Sequence, residues 1–137
     1  MARQTIGATR QAQRTAASKM NANFSELYDN ASQPVLITAA TAAGTFTVPA
    51  GYALQYIYIN NTTANAITGG LKFGTTAGGT QVLAAEAVPA NALFAVPSAD
   101  ITNRIYSRTV DQIIYFDAVT AWNSASVDMK ILLKKAF

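Results

Sequence analysis

From Val35 onward the chain reads as eight short runs of apolar and β-branched residues, each closed by turn-forming residues, and that rhythm restricts the fold more than any other feature. The runs cover residues 35–38, 46–48, 54–59, 67–73, 81–84, 93–96, 113–119 and 127–133. Between them stand Ala43-Gly44, Pro49-Ala50-Gly51, Asn60-Asn61-Thr62, Gly69-Gly70, Gly78-Gly79, Pro89 with Asn91, and Asn123-Ser124, the residue types that tolerate tight turns. Residues 97–101, containing Pro97, predict a short helical turn or long crossover of the kind Greek-key connections require. The expected fold is mainly β: an antiparallel β-sandwich of about eight strands, jelly-roll-like, preceded by an N-terminal α-helix.

Two runs predict which faces are covered. In 127–133, Val127, Met129, Ile131 and Leu133 alternate with Asp128 and Lys130, so one face is buried and the other meets water or a neighbour. In 54–59, strict alternation puts Tyr56 and Tyr58 on the face of Leu54, with Ile57 and Ile59 opposite. Both faces of that strand are then expected to be covered.

Ahead of the β-region the period is helical. Residues 11–29 contain no Gly or Pro, and Ala17, Met20, Phe24, Leu27 and Ala31 follow one another at spacings of three and four, the seam of a coiled coil about two heptads long. A helix this short is marginal alone, so its stripe must pack either on its own domain or on copies of itself. Ser32-Gln33-Pro34 reads as a linker, which divides the chain into an arm and helical stalk at 1–33 and a β-domain at 34–137. Arg3, Arg10, Arg14 and Lys19 lie in the first twenty residues with no acidic residue among them. They are either a solvated helix face or a docking surface for an acidic partner.

Composition narrows the function. His and Cys are both absent, which removes imidazole and thiolate nucleophiles, the common metal sites and disulfides. The seven carboxylates follow no catalytic spacing, and Gly69-Gly70 and Gly78-Gly79 match neither a P-loop nor a dinucleotide fingerprint, so no enzyme activity, cofactor, metal or small-molecule substrate is expected. Trp122, beside a turn, is the one aromatic residue singled out for possible ligand contact. The β-region lacks a basic groove interleaved with aromatics, and nucleic-acid binding is not expected. The basic N-terminus has no continuous apolar stretch, and nothing approaches the ~20 apolar residues of a membrane span; neither a secretory signal nor membrane association is expected. Half the residues are hydrophobic and only 12% are charged, a poor balance for a monomer surface and a suitable one for an assembly component.

Lys19-Met20-Asn21-Ala22-Asn23-Phe24-Ser25-Glu26-Leu27-Tyr28 resembles the K-[IVM]-N-x-N-F-[ST]-E-L-Y segment near the N-termini of tailed-bacteriophage virion proteins, and Arg3-Gln4-Thr5-Ile6 is similar to the RQTI opening found ahead of it. The resemblance covers roughly the first 30 residues. It implies a virion structural protein made in the host cytoplasm, with a helix leading into a β-sandwich and trimers as the usual oligomer. The expected role is a capsid-decorating protein on the particle exterior, a cement subunit or head fibre bound to the major capsid protein or another virion protein. The alternative is a small tail-fibre or tail-associated protein with a receptor- or carbohydrate-binding β-domain.

Overall fold

The computed structural model describes residues 32–136, and within them the chain folds as eight strands and one 3-10 turn. The strands are β1 (Ser32–Ala40), β2 (Gly44–Val48), β3 (Tyr52–Asn61), β4 (Ile67–Gly74), β5 (Leu83–Val88), β6 (Leu93–Ala95), β7 (Gln112–Ala118) and β8 (Val127–Lys135); the 3-10 turn is Ser98–Asp100. They form two antiparallel four-stranded sheets, sheet A in the order β1-β8-β3-β6 and sheet B in the order β2-β7-β4-β5. First pairs with last, second with seventh, third with sixth and fourth with fifth, so the chain is a long antiparallel ribbon folded across two sheets. The 3-10 turn lies in the crossover from β6 to β7, where the proline-bearing segment predicts a turn.

The inward faces of both sheets share one hydrophobic cluster. Phe46 and Val48 of β2, Leu71 and Phe73 of β4, and Ile114 and Phe116 of β7 meet Leu54, Ile57 and Ile59 of β3 and Met129, Ile131 and Leu133 of β8. Phe73 sits at its aromatic centre, with ring centroids 5.8 Å from Phe46 and 6.2 Å from Phe116. The alternation read in 127–133 is the one observed: Val127, Met129, Ile131 and Leu133 are buried and Lys130 is exposed.

Three expectations are corrected. Ser32-Gln33-Pro34 is the start of β1, paired with Lys134, Leu133 and Leu132, and β1 is an edge strand, the position in a sheet that tolerates proline. The run expected at 81–84 begins later and extends to Val88. Gln81 Oε1 accepts the Thr75 N–H and Val82 N–H donates to the Phe73 carbonyl, so both residues close the turn, while the alanine-rich stretch after them continues the strand without an alternating apolar pattern to announce it. In β3 the register against β8 slips between Leu54 and Tyr56. The extra residue, Gln55, reverses the alternation there: Leu54, Ile57 and Ile59 all point inward, and Tyr56 and Tyr58 leave the face of Leu54 for the outside.

Candidate interaction face

The β3 bulge has a chemical consequence, because it turns two tyrosines out of the sandwich. On the outer face of sheet A, register aligns Pro34, Leu132 and Tyr56 in one row across β1, β8 and β3, and Leu36, Lys130, Tyr58 and Ala95 in the next across all four strands. A third row places Asp128, Asn60 and Leu93 side by side. Leu93 is 75% exposed, Leu36 67%, Tyr56 43% and Tyr58 36%. Large apolar side chains at such exposure, gathered on one sheet face, mark a surface made to be covered.

The face has relief. Tyr56 and Tyr58 form a ridge, their ring centroids 6.3 Å apart. On one side lies a groove of about 480 Å³ bounded by Leu36, Tyr58, Leu93, Lys130 and Leu132. On the other a smaller depression of about 340 Å³ is bounded by Ala53, Tyr56, Arg104, Tyr106 and Lys134. The outer face of sheet B is different. It presents Thr45, Thr47, Lys72, Tyr115 and Asp117 together with the small Ala84, Ala85 and Ala87, and Ile113 is its one large, well-exposed apolar residue.

Several devices fix this geometry. The Arg104 guanidinium donates to the carbonyl of Gln55 and to Ser98, tying the crossover to the bulge that orients the tyrosines. Ile105 carries a left-handed backbone (φ 43°), unusual for a β-branched residue; it buries its own side chain while the next residue, Tyr106, bridges to Ala53 at the rim of the face. At the far end of β1, Ala39 is also left-handed, and its N–H donates to Asp128 Oδ1 over 2.8 Å. Near Leu93 the anchor is Asn61, the one buried polar residue among those described, 1% exposed. Its Nδ2 donates to the carbonyls of Asn65 (2.7 Å) and Pro89 (3.0 Å), and its Oδ1 accepts from the Thr63 N–H (3.1 Å) and hydroxyl (2.8 Å).

The sequence nominates other residues. The seam Ala17, Met20, Phe24, Leu27 and Ala31 and the basic set Arg3, Arg10, Arg14 and Lys19 lie outside the described residues. Trp122 is half-buried against the core. Its Nε1–H donates to Asp117 Oδ1 (2.9 Å), and its ring meets Phe116 edge-on at 6.5 Å. Asp111, just before β7, accepts the Ala50 N–H at 2.9 Å through Oδ1.

Among the described residues no group of three or more His, Cys, Asp or Glu side chains converges as a metal site. Two carboxyls do approach each other with no spacing signal to predict it. Glu86 on β5 faces Asp100 in the 3-10 turn, and desolvation first, then the hydrogen bond and charge of Asp100, push its pKa up from 4.5 to about 6.

Comparison of the chain with protein family models, curated proteins and solved structures finds no match.

Proposed function

We propose that this chain is a structural protein of a bacteriophage virion, a capsid-decorating subunit of the cement or head-fibre kind that binds the shell as a homo-oligomer. The observation that carries the reading is the outer face of sheet A: a ridged, largely apolar surface on a domain whose other sheet face has a single large, well-exposed apolar residue, Ile113. Such a surface suits permanent contact in an assembly. The particle itself comes from the resemblance of residues 3–6 and 19–28 to virion proteins, and the trimer from the same source. The nested pairing of the eight strands fits a jelly roll, a fold suited to packing on a lattice because it buries two sheet faces and leaves the others for neighbours.

In this reading Arg3, Arg10, Arg14 and Lys19 contact the shell, and many weak contacts on a symmetric lattice supply the affinity through avidity. The tandem tyrosines favour a second reading, a tail-associated protein that holds a glycan on aromatic rings, although the leucines flanking them suit protein better than sugar.

Quantitative mass spectrometry of purified particles tests the proposal. A copy number set by the shell lattice supports decoration, a few copies per particle points to the tail, and absence from particles overturns the virion reading.

A further inference from the structure

We infer that the outer face of sheet A is the surface through which one copy of this chain packs on another. The inference rests on the homo-oligomer part of the proposed function and places that contact in the β-domain, on residues distinct from the helix seam; a face that meets itself pairs copies two by two, so this contact is separate from the trimer that the resemblance implies.

The first argument is area. Three strands of nine or ten residues (β1, β3, β8) at a rise of about 3.3 Å, side by side at about 4.8 Å with the three-residue β6 at one edge, give a footprint on the order of 500 Å². Protruding side chains raise the accessible surface above that footprint, towards the ~800 Å² per partner of a standard stable interface. The face is therefore of the size class from which a contact between two copies is built.

The second argument is self-complementarity. The face carries a projection and a recess side by side: the Tyr56–Tyr58 ridge, and the groove between Leu36, Leu93 and Leu132. It also carries both signs of charge on one strand, since Asp128 and Lys130 are two residues apart on β8 and point the same way. A second copy thus brings a ridge for the groove, a groove for the ridge and an opposite charge for each of these two groups. A surface that must meet itself needs this pairing of features. Tyr56, Tyr58 and Leu132 stand on the two inner strands, and tyrosine is a residue type that carries binding energy once desolvated; the cations at the margin, Lys134 and Arg104, suit a polar rim.

The test is light scattering on the full chain and on two variants, Leu36→Lys with Leu93→Lys together, and Ile113→Lys as a control on sheet B. All three positions are more than half exposed, so the fold should survive, and circular dichroism and thermal unfolding check that it does. The expected result is an oligomeric wild type, an oligomeric control, and a sheet A variant whose mass falls about twofold or more to that of a single 14.5 kDa chain. A folded sheet A variant with the wild-type mass overturns the inference while leaving the homo-oligomer reading in place. A control that dissociates equally also overturns it, because the effect is then not specific to the face. A wild type that stays monomeric at every concentration overturns both the inference and the homo-oligomer reading, and assigns the face to the shell or another partner.

Discussion

Asn61 is the residue on which the Leu93 end of the candidate face depends, and replacing it with aspartate exchanges one atom group for another of nearly the same shape. The wild-type side chain is buried with four hydrogen bonds: two donated to the carbonyls of Asn65 and Pro89, two accepted from Thr63. Its backbone N–H donates to the Ala92 carbonyl and the Asn91 N–H donates to the Thr63 carbonyl, both at 2.8 Å, so one network ties the end of β3 to the start of β6. Asn61→Asp keeps the acceptor half and turns the donor half into an oxygen facing two carbonyls. Two lost hydrogen bonds at about 1 to 1.5 kcal/mol each, plus the burial of a carboxylate, put the cost at about 4 kcal/mol at pH 7. For a domain of this size that is a fall in Tm of roughly 15 °C.

The same substitution carries a pH signature. In the folded variant the buried carboxyl holds its proton above the ~3.9 of an unfolded aspartate. Its protonated form can donate to one of the two carbonyls. The deficit relative to wild type should therefore be smallest near pH 4 and grow as pH rises through the folded pKa. Urea unfolding followed by the fluorescence of Trp122, the only tryptophan, measures this at each pH. Asn65→Asp, the same exchange at an exposed neighbour, should change stability by less than about 0.5 kcal/mol. Equal midpoints for Asn61→Asp and wild type, or a deficit independent of pH, would refute the network's role.

Two further predictions concern β4, β5 and the carboxyl pair. Gly70 has φ +87° and lies so close to β5 that an added Cβ would stand 2.4 Å from the Glu86 carbonyl oxygen, so Gly70→Ala should cost at least about 2 kcal/mol; Gly78, at φ +73°, would put its Cβ in ordinary contact with Lys72 Nζ at 3.9 Å and should lose only about 1 kcal/mol to the same change, and equal losses at both sites in urea unfolding would contradict the close approach. Glu86 binds its proton more tightly folded than unfolded, so the pair's contribution is fully present below pH 4.5 and lost as pH rises through about 6; water screening keeps it below about 1 kcal/mol, and Glu86→Gln should flatten that part of the pH–stability curve, where an unchanged slope would show that the pair is not its source.

Much of the fold was legible because turn chemistry and alternation are local. Asn60-Asn61-Thr62 closes β3 and Asn123-Ser124 turns the loop between β7 and β8, whereas Gly69-Gly70, expected as a turn, lies inside β4 where the register against β5 is irregular; the alternation of Val127 to Leu133 alone assigned the faces of β8. Strand order was not legible, since the pairing of β1 with β8 joins the two ends of the domain and leaves no trace in any short window. The candidate face was hidden by one residue. Strict alternation groups Tyr56 and Tyr58 with Leu54, and only the bulge at Gln55, held by an arginine about fifty positions away in sequence, turns them outward. Leu36 and Leu93 gave no warning either, because an apolar residue in a short strand carries no mark of the side it faces until register is known. The Glu86–Asp100 contact likewise depends on the crossover and has no spacing to announce it.

The most direct measurement is a cryo-electron microscopy reconstruction of particles carrying the chain. The account predicts β-domains arrayed on the outside of the shell, grouped in copies whose sheet A faces, with Leu36, Tyr58 and Leu93, are turned against one another. Density confined to the tail, or single β-domains standing apart with that face open to solvent, would contradict it.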